Sequence, residues 1–220
     1  MKSSRMVVLF VSVLVVATLS IGLSLALPED RNEVLSEAMS PYEDLTEYAM
    51  DRNGDATRAA IERLDTTDKA LEEAISGKAL EHLKDNLVKM KTALVIPDYG
   101  TIALRAVDSY KTLVQGLNTS KLKVPVQVAM LDYAGFRLEA LLMQKDVDWD
   151  AAGEAVRRAQ DDWKAISVKV TNVGLTDTMD TDIQGLVTAV GSKNVEMLRF
   201  AAKMDLALVD LLENYFEHHG

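Results

Sequence analysis

The chain has 220 residues, 24 Lys and Arg against 34 Asp and Glu, and a formal charge of −10, so it repels nucleic acid and anionic lipid and offers no Lys/Arg run as a local exception. It has no cysteine, which excludes disulfides, thiolate zinc sites, iron–sulfur clusters and covalently attached haem. Aromatic residues are 5% and prolines number 4, a usage that favours helix over sheet.

Lys2 and Arg5 precede Met6 to Leu27, 22 residues without a charge. A positive n-region before an apolar run is an export signal, and Ser24-Leu25-Ala26 supplies small residues for cleavage. The run is also long enough to span a bilayer as an uncleaved anchor. Residues 1–27 are therefore read as signal peptide, with a signal anchor as the alternative. Either way the body is expected outside the cytoplasmic membrane, periplasmic or extracytoplasmic, soluble after cleavage or tethered.

The body begins at Pro28 with an abrupt change to Glu29-Asp30-Arg31-Asn32-Glu33. Ser40, Pro41 and Glu43 have the spacing of an N-cap, a first-turn proline and a capping-box acid, so a helix should begin or kink there. Arg52-Asn53-Gly54-Asp55 is turn chemistry, after which Ile61, Leu64, Leu71 and Ile75 mark one helical face. Leu80, Leu83, Leu87, Met90 and Leu94 give the cleanest amphipathic helix, ending at Pro97 to Gly100. Ile102, Ala106, Tyr110, Leu113 and Leu117 carry the next, which stops at the linker-like Asn118 to Lys121.

Pro125 opens a helix leading into the apolar segment Leu131 to Met143. A polar break, Lys145 to Asp150, separates it from Ala152, Val156, Ala159, Trp163, Ile166 and Val170, so the pair reads as an αα-hairpin. A short helix on Met179, Ile183, Leu186 and Val190 follows. The final helix, about Asn194 to Phe216, is apolar on nearly every side and is expected near the centre of the fold.

Sliding the chain by 95 positions brings Asp51 onto Asp146, Asp55 onto Asp150, Ala60 onto Ala155, Arg63 onto Arg158, Leu71 onto Ile166, Ala106 onto Ala201 and Leu113 onto Leu208. This fits four αα-hairpins forming two duplicated four-helix halves, residues 28–120 and 121–220. Any two amphipathic helices also agree once slid into phase, so generic hairpins remain the second reading. The fold class is all-α, an antiparallel bundle of about seven to eight helices packed as one domain.

No residue set spells catalysis. There is no Gly-x-Ser-x-Gly, no His-Glu-x-x-His and no repeated Glu-x-x-His, and adjacent acids such as Glu72-Glu73 point apart on a helix. The ten methionines are scattered along helical faces, as core packing rather than as copper ligands. His82, beside an apolar stripe, reads as a boundary residue. Glu213, Glu217, His218 and His219 share the end of the last helix as a candidate loose metal site, with a frayed polar terminus as the plainer reading.

Asp205, flanked by Met204 and Leu206, should need a cationic partner such as an Arg from another helix. Tyr110 and Trp163 occupy matching positions when successive units are aligned and are candidates for a small apolar pocket with Asp205. The expected function is a non-enzymatic, exported bundle acting by binding, chiefly to another protein. The alternative is a small-ligand or metal-binding protein using the interior. No cofactor or nucleic acid is expected, self-association is left open, and the membrane enters through residues 6–27 if they are uncleaved.

Overall fold

The computed structural model describes residues 30–65 and 69–219. The export or anchor segment 1–27 lies outside the described residues. Within them the chain is all-helical: α1 (Arg31–Met50), α2 (Gly54–Leu64), α3 (Lys69–Ala74), α4 (Gly77–Val95), α5 (Tyr99–Val114), α6 (Val126–Leu141), α7 (Trp149–Ile166), α8 (Val173–Gly191) and α9 (Val195–His219), with 3-10 turns at 119–121 and 167–169. None of these helices is long and apolar enough to cross a membrane.

Most starts follow from capping chemistry. Asp30, Asn53, Ser76, Asp98, Asp148 and Asn172 each turn a side-chain oxygen onto a first-turn backbone N–H, satisfying donors the helix itself cannot. Ser40 does not act this way: α1 starts ten residues earlier and runs through Pro41. The helix continues because Tyr42, Leu45 and Ala49 bury beyond the proline on the face already begun by Val34 and Leu35. Pro41 nevertheless removes one backbone hydrogen bond and crowds the preceding turn. Pro41→Ala should therefore raise stability by roughly 1–3 kcal/mol in urea unfolding; a loss would show that the proline shapes the packing of α1.

Two cores result. In the N-terminal half, α1 packs on α2 and α5, and α4 on α5 and α2, around Leu35, Leu45, Ile61, Met90, Ile102 and Leu113. In the C-terminal half, α6, α7, α8 and α9 close a four-helix ring around Leu131, Leu138, Trp163, Ile166, Met179, Leu186 and Leu198. Contact between α5 and α6 joins the halves. Helix α6 is their shared wall, giving Met130, Tyr133 and Ala140 to the first core and Leu131, Ala134 and Leu138 to the second.

The starts of α1 and α6 and of α2 and α7 are 95 residues apart, and those of α4 and α8 and of α5 and α9 are 96 apart. The expected continuous helix over Ile61 to Ile75 is instead two pieces, α2 and α3. Helix α9 is also not central. It packs on α6 and α8 and leaves its remaining face to solvent, with Phe200 68% and Leu211 56% exposed.

Where α1 begins, the loops are tied together. The Asn32 side chain donates to the Asn118 carbonyl (3.0 Å) and accepts from the Asn118 N–H (2.8 Å), while Lys121 pairs with Asp30 (3.0 Å). Lys123 donates to the carbonyl of Glu217, and the Tyr215 hydroxyl accepts from the Thr171 N–H (2.9 Å). These bonds place the start of α1, the 115–125 loop, the end of α9 and the 167–172 segment at one end of the bundle.

Candidate functional site: buried carboxyl groups between helices

Each half carries a polar pair in its interior, and the two are satisfied differently. In the first, Asn86 of α4 donates to the hydroxyl of Ser109 on α5 (3.1 Å), and Ser109 donates to the Arg105 carbonyl (2.9 Å). Counted from the helix starts, Asn86 and Ser109 correspond to Asp182 of α8 and Asp205 of α9. Asp205 is fully buried, and neither carboxyl oxygen has a hydrogen-bond partner among the described residues. Asp182 is 8% exposed, and its Oδ2 is also unpartnered.

The chain can bring Asp205 so far inside because the facing residue on α6 is Gly135. A Cβ built there would lie 2.8 Å from Asp205 Oδ2 and 2.8 Å from Leu206 Cδ2. Among the described residues no arginine meets Asp205, contrary to the ion pair expected for an acid in that helix. Instead, loss of water holds the Asp205 carboxyl well above the usual carboxylate range, and the nearby Asp182 charge adds to the effect. Burial alone pushes Asp182 up to about 7. A neutral carboxyl can donate a proton as well as accept one, so this pair has the chemistry to hold protons or to bind a small polar group.

A second acidic group lies where α1, α5, α6 and α9 meet. Tyr110 of α5 is within hydrogen-bonding reach of Glu43 on α1 and Asp132 on α6, and Glu213 of α9 faces the same group. Burial raises Glu43 to about 7 and Asp132 and Tyr110 well above their ordinary values, and partial burial raises the solvent-exposed Glu213; the Glu213 charge adds to Glu43, those of Glu43 and Glu213 add to Asp132, and those of Asp210 and Glu217 add to Glu213.

Tyr110 and Asp205 therefore border neighbouring acidic sites, while Trp163 belongs to neither. Its indole N–H donates to Asp180 across α7 and α8 (2.6 Å), inside the C-terminal core, whereas Tyr110 packs in the N-terminal one. The aromatic pair does not face across a common pocket, because the two halves bury their aromatics separately.

The terminal group is likewise separated. Glu213 and Glu217 are both exposed, and Glu213 is close enough to Glu43 and Asp132 for its charge to act on them. His218 Nδ1 is 2.8 Å from the Asn214 carbonyl, and His219 Nδ1 is 3.0 Å from that of Tyr215, on whose ring it stacks at 4.8 Å. Among the described residues no three His, Asp or Glu side chains are arranged to hold a metal ion.

Sequence reasoning found Asp205 and missed Asp182, Asp132, Glu43 and Gly135. The signal was present for two of them. Asp132 sits between Leu131 and Tyr133 in an apolar helix, and Asp182 lies beside the Met179–Ile183 stripe. Surface hollows lie elsewhere, at the tied end. One of about 490 Å³ is lined by Leu122, Lys123, Pro125, Lys169, Phe216 and His219, and one of about 430 Å³ by Leu175, Leu208, Leu211 and Tyr215 among others. No protein-family model, curated protein or solved structure matches the chain.

Proposed function

We propose that this is an exported, non-enzymatic helical-bundle protein that acts at or outside the cytoplasmic membrane by binding another protein. The observation carrying this reading is the outer face of α9. Phe200 and Leu211 are 11 residues apart, about three helical turns, so they share one face, and both are exposed. Isolated exposed hydrophobics are ordinary, but two large ones on one stripe of a single helix fit a docking surface. Purified untagged from its host's extracytoplasmic fraction, the protein should crosslink to a partner that the double change Phe200→Ser, Leu211→Ser removes. A bare chain in native mass spectrometry, with no crosslinked protein, sinks the proposal.

The alternative is a small-ligand or metal-binding protein using the bundle interior, and the unpartnered Asp205 carboxyl favours it. It requires a stoichiometric extra mass in the same spectra, lost in Asp205→Asn. We also propose that the halves arose by duplication of one four-helix unit. The offsets of 95 or 96 residues between corresponding helix starts support this reading.

A further inference from the structure

The seam between the two halves gathers cations that the sequence scatters. Helix α6 has α5 on one side and α7 on the other. Leu104 of α5 packs against both cores, and Asp108 and Lys111 continue its face along the seam. Tyr133 of α6, only 3% exposed, supplies the floor: Lys111 Nζ lies 4.9 Å from the centre of its ring and Arg137 Cζ 5.9 Å from it. Arg158 of α7 completes the group from the other side of α6, where its charge acts on both Lys111 and Tyr133.

The charges there are not balanced. Arg137 pairs with Asp108 (2.5 Å), and Asp108 is shared with Arg105 (3.5 Å), whose Nε is buried with no hydrogen-bond partner among the described residues. Lys111 and Arg158 are in no ion pair among the described residues. Glu154 acts on Lys111 and Asp162 feels Arg158, whereas Asp85, which feels Arg105, is itself paired with Lys89. The exposed Arg157 and Asp161 of α7 add one charge of each sign. Cations thus outnumber acids locally in a chain whose formal charge is −10. Burial first, and then Arg158 and Arg137, draw the Lys111 ammonium below its ordinary value, and Asp108 and Glu154 each act on it less than either arginine. An anion placed among the three cations would relieve that repulsion.

We propose that Lys111, Arg137 and Arg158 hold a phosphate group carried by a small soluble molecule, on the seam formed by α5, α6 and α7. Three cationic arms come from three helices and so approach from different directions, which suits the separate oxygens of a tetrahedral phosphate. A planar carboxylate is matched by a single guanidinium fork, and Asp108 already takes that role with Arg137. The site is distinct from the outer face of α9 and from the Asp205 carboxyl, so it goes beyond both binding readings of the protein and rests on neither.

Calorimetric titration of the full chain with inorganic phosphate, and with acetate at matched ionic strength so that screening is equal, gives the test. Phosphate should saturate at one per chain, and acetate should not. Lys111→Gln and Arg158→Gln break no ion pair, and each should weaken phosphate binding roughly tenfold. Asp205→Asn should leave it unchanged. Arg137→Gln is avoided because it would strand Asp108, and helical circular dichroism shows that the variants used are folded. Heats that do not saturate overturn the proposal, as does acetate binding as well as phosphate, or unchanged binding in folded Lys111→Gln and Arg158→Gln. Chain that binds phosphatidate vesicles but ignores phosphate in solution also overturns it, by moving the phosphate onto a lipid.

Discussion

Raising the pH from 5 to 8 is expected to destabilise the fold, by about 2–3 kcal/mol from Asp182 alone. The Asp182 carboxyl is held at about 7 in the folded protein, whereas its ordinary value is 3.8. The folded state therefore binds a proton that the unfolded chain has already released. That contribution is complete below the unfolded value and is lost as pH rises through 7. Glu43, also near 7, and Asp162, near 6, act in the same direction. Asp30 and Asp85 are lowered by Lys121 and Lys89, but their contributions fade only in acid below this window.

Urea midpoints measured between pH 5 and pH 8 should fall steadily, and Asp182→Asn should flatten the curve. Asp205→Asn should act in the same sense as Asp182→Asn, because burial holds the Asp205 carboxyl well above the usual range as well. A flat or rising midpoint in the parent protein would mean that water reaches Asp182 and Glu43. Their burial could not then be what the packing of α8 and α1 implies.

Gly135→Ala should cost about 1–3 kcal/mol, even though alanine is the better helix former. The added methyl would meet Asp205 Oδ2 and the Leu206 side chain at 2.8 Å, so α6 and α9 must move apart or Leu206 must leave its rotamer. The control is Gly185 in α8, where a Cβ would find only Ala201 Cβ at 3.8 Å, an ordinary contact. Gly185→Ala should stabilise by up to about 1 kcal/mol. Thermal or urea unfolding of the two variants reads the contrast. Equal behaviour would show that α6 and α9 are not pressed together at Gly135.

Helices were legible wherever local chemistry acts within a few residues. Asn53, Ser76, Asp98 and Asn172 cap helices because short side chains can reach the next turn's N–H groups. The stripe from Leu83 to Met90 buries because its spacing repeats the helix. The all-α class and most of the breaks follow from such rules, the one between α2 and α3 excepted, and so does the selection of Asp205. No helix begins at Ser40-Pro41, because tertiary burial along α1 overrides the capping pattern there.

Which helix faces meet was a different matter. The sequence carries Gly135 and Asp205, or Lys123 and Lys169, as residues dozens of positions apart, with nothing local to relate them. Only packing of α9 against α6 and α8 removes water from Asp205, and only the docked helices bring the two lysines to one hollow. Capping and periodicity are short-range and can be read along the chain. Desolvation and the placement of charge depend on distances that exist only once the helices have docked.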